Sequence, residues 1–285
     1  MTTKFTIKQP YTFIEILERA SMIAQDGVLD IKRDGGLSIS CKNMYLRLDV
    51  KSPQVFLYSS GDSNSNPPTF RLAFSDLSIL IRALKNAVSI CEDRFMAIIQ
   101  MEIINDGQVC ISTSQYQAFI QQCNPRVVGS ATRPIDLAKL PETVQTFELD
   151  NTRGKDSKIK MIQSSFAMMH DMAQTKIGFG QFKDANIIDW QENLIYAKVF
   201  SDVGLSNYSY LEAGRIIQST PESVSYDVIV NVDCFNLLVR MFSNQVISVN
   251  VLTVPALYIH HITELANQQN NKAIITSDLL VSIIK

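Results

Sequence analysis

The three histidines are the first residues to weigh for metal binding or acid–base work. His260 and His261 are adjacent, so a strand turns them to opposite faces, where they cannot chelate one ion together, and His170 is remote. Asp30, Asp34 and Asp49 have the spacing of turn and strand-edge residues, which points to solvated carboxylates rather than a two-metal set. Gly178-Phe-Gly180 lacks the remaining glycine of a dinucleotide fingerprint, and the chain has neither a Walker loop nor a G-x-S-x-G nucleophile turn. Cys41, Cys91, Cys110, Cys123 and Cys234 are scattered without a C-x-x-C pair, the pattern of reduced, buried thiols. Trp190 and its aromatic neighbours are expected to fill core. No catalytic residue, no metal and no cofactor is expected, and the reading is of a protein that is not an enzyme.

The remaining chemistry is ionic. Net charge is −2, so no global basic excess marks a polyanion partner; cations must be gathered on one surface and acids on another if there is one. A length of 285 residues suits two domains, and no apolar run approaches the ~18 residues of a membrane span. The opening Met1-Thr-Thr-Lys-Phe-Thr-Ile-Lys-Gln-Pro10 resembles a first strand rather than a secretory leader, which implies an intracellular protein and makes the sequon Asn207-Tyr-Ser209 irrelevant.

Apolar spacing predicts four helices: from Thr12 to about Ala24, Ser75 to Val88, Ser157 to Ala173, and Asp233 to Asn244. Ser75, Ser157 and Asp233 are the expected N-caps, their oxygens accepting from first-turn amides. Period-two stretches predict strands at Val28–Ile31, Gly36–Ser40, Met44–Val50, Met96–Ile103 and Val109–Ser112. Asp34-Gly35-Gly36 and Asn105-Asp106-Gly107 serve as the tight turns. Pro125, Gly129, Pro134 and Pro141 break the rhythm and mark a connector, while Ser59 to Pro68 reads as an exposed polar loop. The expected organisation is 1–124, a connector over 125–143, and 144–285, an α+β arrangement with two helices packed on antiparallel sheet in each half.

The halves also resemble each other. Leu72 to Asn86 lies without gaps on Val230 to Asn244, matching Leu80 with Leu238, Arg82 with Arg240 and Asn86 with Asn244. Both copies read as strand, cap and helix, so a duplicated domain is the economical interpretation. Arg82 and Arg240, with Lys85 one turn on, lie opposite the apolar stripe, which places cations at matching sites on two helices.

In element order nearly the whole chain resembles the DNA sliding clamps. Phe13 to Val50 is similar to the clamp opening. Val254-Pro255-Ala-Leu-Tyr-Ile259, followed by Asn267 to Asn271 and Ala273-Ile-Ile275, looks like the closing hairpin of eukaryotic and archaeal clamps. Extra residues around Gly178 to Ile188, the long polar loop after Tyr58 and the apolar tail Leu279 to Lys285 depart from that pattern and suggest a divergent, viral or phage member.

The resemblance implies duplicated clamp-like domains and a homotrimeric ring around duplex DNA, held without regard to base sequence. Helices would line the hole, with Arg82, Lys85, Arg240, Lys158 and Lys160 facing phosphates. A DNA polymerase and a clamp loader would dock through short peptide motifs on a pocket drawn from Met44, Ile135, Leu137, Val254 and Pro255. The rival interpretations are a β-rich oligomeric structural protein of a virus particle and a hydrolase or nuclease with dispersed catalytic residues.

Overall fold

The structure, a computed structural model, describes residues 3–32, 34–58, 70–91, 97–104, 107–124, 128, 134–152, 158–167, 175–183, 185–201, 209–220, 228–266 and 272–284. The polar loop from Ser59, the turn residues Asn105 and Asp106, the cap Ser157, His170 and most of the connector before Pro134 lie outside the described residues.

The first half runs β1 (Thr3–Ile7), α1 (Pro10–Ile23), β2 (Gly27–Ile31), β3 (Leu37–Lys42), β4 (Leu46–Ser52), β5 (Phe56–Tyr58), β6 (Phe70–Phe74), α2 (Leu77–Ile90), β7 (Ile99–Ile103), β8 (Gln108–Ser112) and β9 (Gln117–Gln121). The second runs β10 (Thr143–Asp150), α3 (Lys158–Ala167), β11 (Thr175–Gly180), β12 (Leu194–Ser201), β13 (Ser209–Ser219), β14 (Val228–Asn231), α4 (Val232–Met241), β15 (Val246–Leu252), β16 (Ala256–Ala266) and β17 (Lys272–Ser282). The order is the same, with β13 standing where β4 and β5 stand in the first half.

The pairing map repeats as well. β1 bonds β5 and β7, as β10 bonds β13 and β15. β2 bonds β3 and β6, as β11 bonds β12 and β14. β3 bonds β4, as β12 bonds β13. The succession β7-β8-β9 has its counterpart in β15-β16-β17. The chain is thus an α+β duplication built on antiparallel sheet.

Two compact units result: residues 1–135 with 262–278, and residues 136–261 with 279–285. In the first, α1 and α2 pack on each other and α1 covers β3 and β4. Phe13, Ile16, Leu17 and Ala20 are fully buried on α1, as are Leu77, Leu80 and Leu84 on α2. Each large side chain so buried contributes roughly 1.5–3 kcal/mol. In the second unit Phe179 lies between Phe147 and Phe235 at ring-centroid distances of 6.0 and 5.8 Å, which ties sheet to α4.

The helix caps differ from those expected. Asp76 caps α2 by accepting from the Ser78 amide, and Asn231 caps α4 by accepting from the Asp233 amide. Each site offers capping side chains in succession, and where the preceding strand ends decides which one turns inward. The gapless match of the two halves pairs Leu80 with Leu238, both buried, and Arg82 with Arg240, both exposed. The caps fall three residues out of that match, close to one helical turn, so the apolar stripe keeps its phase.

Asp49 corrects another expectation. It faces away from α1 on β4, yet it is fully buried, as is Asp278 on the neighbouring β17. The Lys51 ammonium joins them at 3.3 Å from Asp49 and 3.2 Å from Asp278, and the Ser40 hydroxyl donates to Asp49 at 3.3 Å. Asp49 Oδ2 itself receives no aligned hydrogen bond. Burial pushes the Asp49 carboxyl above its ordinary range, with Asp278 adding to the effect and Lys51 and Ser40 opposing it. Asp30 is spent on a bidentate pair with Arg71 at 2.8 Å, and Asp34 accepts from the Gly36 amide at 2.8 Å.

Glycine is required where backbones meet. A β-carbon at Gly214 would lie 1.7 Å from the Glu148 carbonyl oxygen across the β10–β13 pair, and one at Gly35 (φ +84°) would lie 2.2 Å from the Phe56 carbonyl oxygen. Gly214→Ala is expected to destabilise the chain by at least about 2 kcal/mol in urea unfolding, because backbone must move on one of two strands.

The acid–lysine–acid cluster generates a second prediction. Lys51→Met leaves two buried carboxylates unbalanced and should cost about 2 kcal/mol at pH 7, below the usual figure for a buried pair because Lys51 is one-third exposed. Because the folded-state pKa of Asp49 is raised, the folded chain takes up this proton before the unfolded chain. This group's contribution to stability therefore rises as pH falls from neutrality and levels off below the ordinary carboxylate pKa of about 4. Lys51→Met should recover stability over that window more steeply than the parent, and Asp49→Asn should be neutral or stabilising at pH 7. Chemical unfolding as a function of pH checks both.

Candidate nucleic-acid interface

Four of the five cations singled out by sequence, Arg82, Lys85, Lys160 and Arg240, are exposed on helices. In the first unit Arg82 and Lys85 are exposed on α2, one turn apart and opposite the Leu77/Leu80/Leu84 stripe. The Ser78 hydrogen bond holds the carboxyl of the capping Asp76 below its ordinary range, with the nearby Arg82 charge a smaller influence. Lys85 bonds Glu18 of α1 in an ion pair of 2.5 Å. Glu15, one turn earlier on α1, accepts from the Nε of the buried Arg19 at 3.1 Å. This helix pair is therefore mixed in charge, with acids on α1 beside cations on α2.

In the second unit α3 and α4 are bridged by a neutral contact, Gln163 Nε2 donating to Asn236 Oδ1 at 3.2 Å. Lys160 is exposed on α3 and Arg240 is exposed in the last turn of α4, where a cation also suits the helix dipole. Lys158 is the first residue of α3. The structure thus distributes the five cations over α2, α3 and α4, and α1 contributes none to an exposed face.

The residues named for peptide docking divide between the units. Met44 stands 82% exposed at the β3–β4 hairpin, and Ile135 is buried. Ile135 therefore anchors its segment, and the neighbouring Pro134 carbonyl accepts from Arg47. In the second unit Leu137 is 46% exposed on the 3-10 helix Leu137–Lys139. Val254 and Pro255 are exposed just before β16, where the Pro255 carbonyl accepts from the Ile283 amide at 3.1 Å.

The potential catalytic groups do not converge. His261 packs edge-on against Phe242 at 5.1 Å between ring centroids, while His260, on the other face of β16, lies against Tyr258. Among the described residues no group of His, Cys, Asp and Glu could hold a metal ion. All five cysteines are free; burial pushes the Cys41 thiol up to about 12 and the Cys234 thiol to about 11. Trp190 is half-buried and does not fill core: its Nε1 donates to the Gln181 carbonyl at 2.7 Å, bracing the long β11–β12 connection.

One feature that sequence reading missed is a second caged cation. Lys198 on β12 lies 5.9 Å from the Phe182 ring centroid, 5.5 Å from Phe200 and 5.9 Å from Tyr210. Gly178 on the adjacent strand borders the same rings, and a β-carbon there would make ordinary contact with Phe182 and Phe200 at 3.5 and 3.6 Å. The i, i+2 spacing of Lys198 and Phe200 was the available signal, but the register that sets Tyr210 beside Lys198 was not.

No protein-family model and no curated protein sequence matches the chain. Solved structures do. The chain is similar to the PCNA of A. fulgidus, bound there to the C-terminal region of FEN-1, with a TM-score of 0.58, 11% identity, and coverage of 99% of this chain and 98% of that one. It is similar to PCNA from Thermococcus kodakaraensis with a TM-score of 0.61, 10% identity and coverage of 99% and 100%. The DNA polymerase sliding clamp of Bacillus subtilis matches with a TM-score of 0.62 and 9% identity over all of this chain and 65% of the bacterial one. At such identities the likeness is one of fold, and it spans nearly every element described above: the chain has the sliding-clamp fold.

Proposed function

We propose that the protein is a DNA polymerase processivity factor: a homotrimeric ring that encircles duplex DNA inside the cell, tethers replication proteins to it, and catalyses no reaction itself. The observation that carries this reading is an asymmetry in the duplicated pairing map. β17 covers the outer edge of β4. The counterparts of those strands are β9 and the first part of β13. Among the described residues β9 pairs with β8 alone, and 209–212 of β13 pair with β12 alone. Each chain thus offers one uncovered strand of each kind, which a second copy can fill in the manner of β17 on β4.

Such a contact is head-to-tail, so it closes into a ring when the rotation per copy allows. Three copies of a duplicated chain give six similar units, as expected for a two-domain clamp. Phe119, 57% exposed on β9, supplies apolar area for the contact, and capping both edges removes an aggregation hazard.

In this ring Arg82, Lys85, Arg240, Lys158 and Lys160 face the phosphates. Their attraction is sequence-independent and weak, as sliding requires, while retention comes from topology. Met44 on the first unit, and Leu137, Val254 and Pro255 on the second, are the residues offered to short apolar motifs of a polymerase and a clamp loader, while the buried Ile135 anchors its own part of the connector 125–143. The domains flanking it are 1–124 and 144–285. FEN-1 binding by the archaeal PCNA supports a peptide-docking mode of this kind.

Sedimentation equilibrium should return three times the 32.0 kDa chain mass, and Phe119→Lys should disperse the trimer without lowering the chain's helix content. The trimer should be retained on circular duplex DNA and released when that DNA is cut. A monomer at high concentration, or equal retention on linear and circular DNA, would overturn the ring.

A further inference from the structure

The two helix pairs of the duplicated fold are bridged by different chemistry, and the difference falls on a surface assigned above to DNA. In the second unit the bridge is the neutral Gln163–Asn236 contact, with Lys160 and Arg240 exposed nearby in sequence. In the first it is the Glu18–Lys85 ion pair at 2.5 Å, with side chains 34% and 55% exposed. Both residues line an open groove of about 500 Å³ between α1 and α2, together with Glu15 and the apolar Tyr11, Ile14 and Val88.

We propose that Glu18 is an electrostatic brake, holding Lys85 away from the phosphate backbone and so limiting how tightly the first unit grips the duplex. The inference rests on the DNA-encircling reading. A carboxylate in contact with an ammonium reduces the pair's field to that of a dipole, and salt screens what remains beyond about one Debye length, roughly 8–10 Å. A cation so paired releases few counterions from DNA, and counterion release is the main source of sequence-independent affinity. The Glu15 charge on the adjacent turn of α1 is already joined to Arg19, so Glu18 is the acid that sets the availability of Lys85. The chain thereby keeps a cation for transient contact while preventing a static one, which suits a protein that must move along its ligand.

The groove's composition supports a tuning role over a storage role. Its apolar lining gives the Lys85 stem a resting surface beside Glu18, and a long flexible side chain can leave that position at little cost, since an exposed ion pair contributes less than about 1 kcal/mol. Removing the acid therefore changes the availability of Lys85 without unfolding the helix pair.

The test is fluorescence anisotropy of a labelled short linear duplex with the full-length protein, titrated at several salt concentrations. Glu18→Gln should bind roughly three- to tenfold tighter at low salt, with a salt dependence steeper by about one phosphate for each copy engaged. The gain should vanish in the double variant Glu18→Gln/Lys85→Gln, since the liberated ammonium is its source. Glu18→Ala provides the same comparison if the glutamine variant assembles poorly. Binding unchanged by either Glu18 substitution, or a gain retained in the double variant, would overturn the brake. If Arg82→Gln and Arg240→Gln also leave binding unchanged, the DNA-encircling reading fails with it; if those two weaken binding, only the brake is lost.

Discussion

Unsatisfied strand edges constrain this fold more than any other factor. A sheet edge exposes a row of backbone donors and acceptors, and a chain with two long sheet systems has several such rows to satisfy. Within the first unit β17 fills the β4 edge, and Lys51 locks the strands together by sitting between Asp49 and Asp278. Two carboxylates for one ammonium is not the most stable arrangement available, since apolar packing of equal volume often does better. It specifies register instead, because shifting β17 by one residue would turn Asp278 to the opposite face and leave Lys51 with a single partner.

Duplication makes the consequence visible. The outward face of the first sheet carries Asp30, Ser38, Ser40, Asp49, Lys51 and Arg71, a network of ions and hydroxyls. The outward face of the second carries Gly178, Lys198 and Tyr210 in one cross-strand row, with the ammonium among aromatic rings. Both faces hold a lysine, one satisfied by acids and the other by ring quadrupoles. The difference follows from what lies beside each edge: the first is covered by β17 from the same chain, whereas among the described residues 209–212 of β13 pair with β12 alone. Aromatic rings present an amphipathic surface that tolerates either state.

Much of this architecture was legible in the sequence because it depends on local periodicity. The stripes Phe13/Ile16/Leu17/Ala20 and Leu77/Leu80/Leu84 locate α1 and α2 to within a few residues, and the Leu80–Leu238 match exposes the duplication. What depends on distant partners was not legible. Asp49 shares a strand face with Arg47 and Lys51 and reads as part of a solvated face; its burial comes from residues more than two hundred positions away. Lys85 reads as an open cation because Glu18 lies on another helix. Ile135 reads like Leu137, although one packs inward and the other is exposed. The caps were misread for a local reason, since Ser75 and Asp76, or Asn231 and Asp233, are chemically competent alike and strand length alone selects between them.

The same distinction separates binding from sliding. A ring needs no strong site for DNA, because a topological link persists whatever the contact energy, and each kcal/mol of fixed contact raises the barrier to moving by one base pair. Selection on such a surface acts against excess affinity as much as against too little. A helix pair with three cations and two acids, each acid already joined to a cation, has the charge pattern that constraint favours. In the proposed ring, the neutral bridge between α3 and α4 would leave the second unit more attractive to phosphate than the first. Unequal halves repeated around a ring would give the duplex alternating stronger and weaker contacts, so that it leans from one copy to the next while no single position holds it.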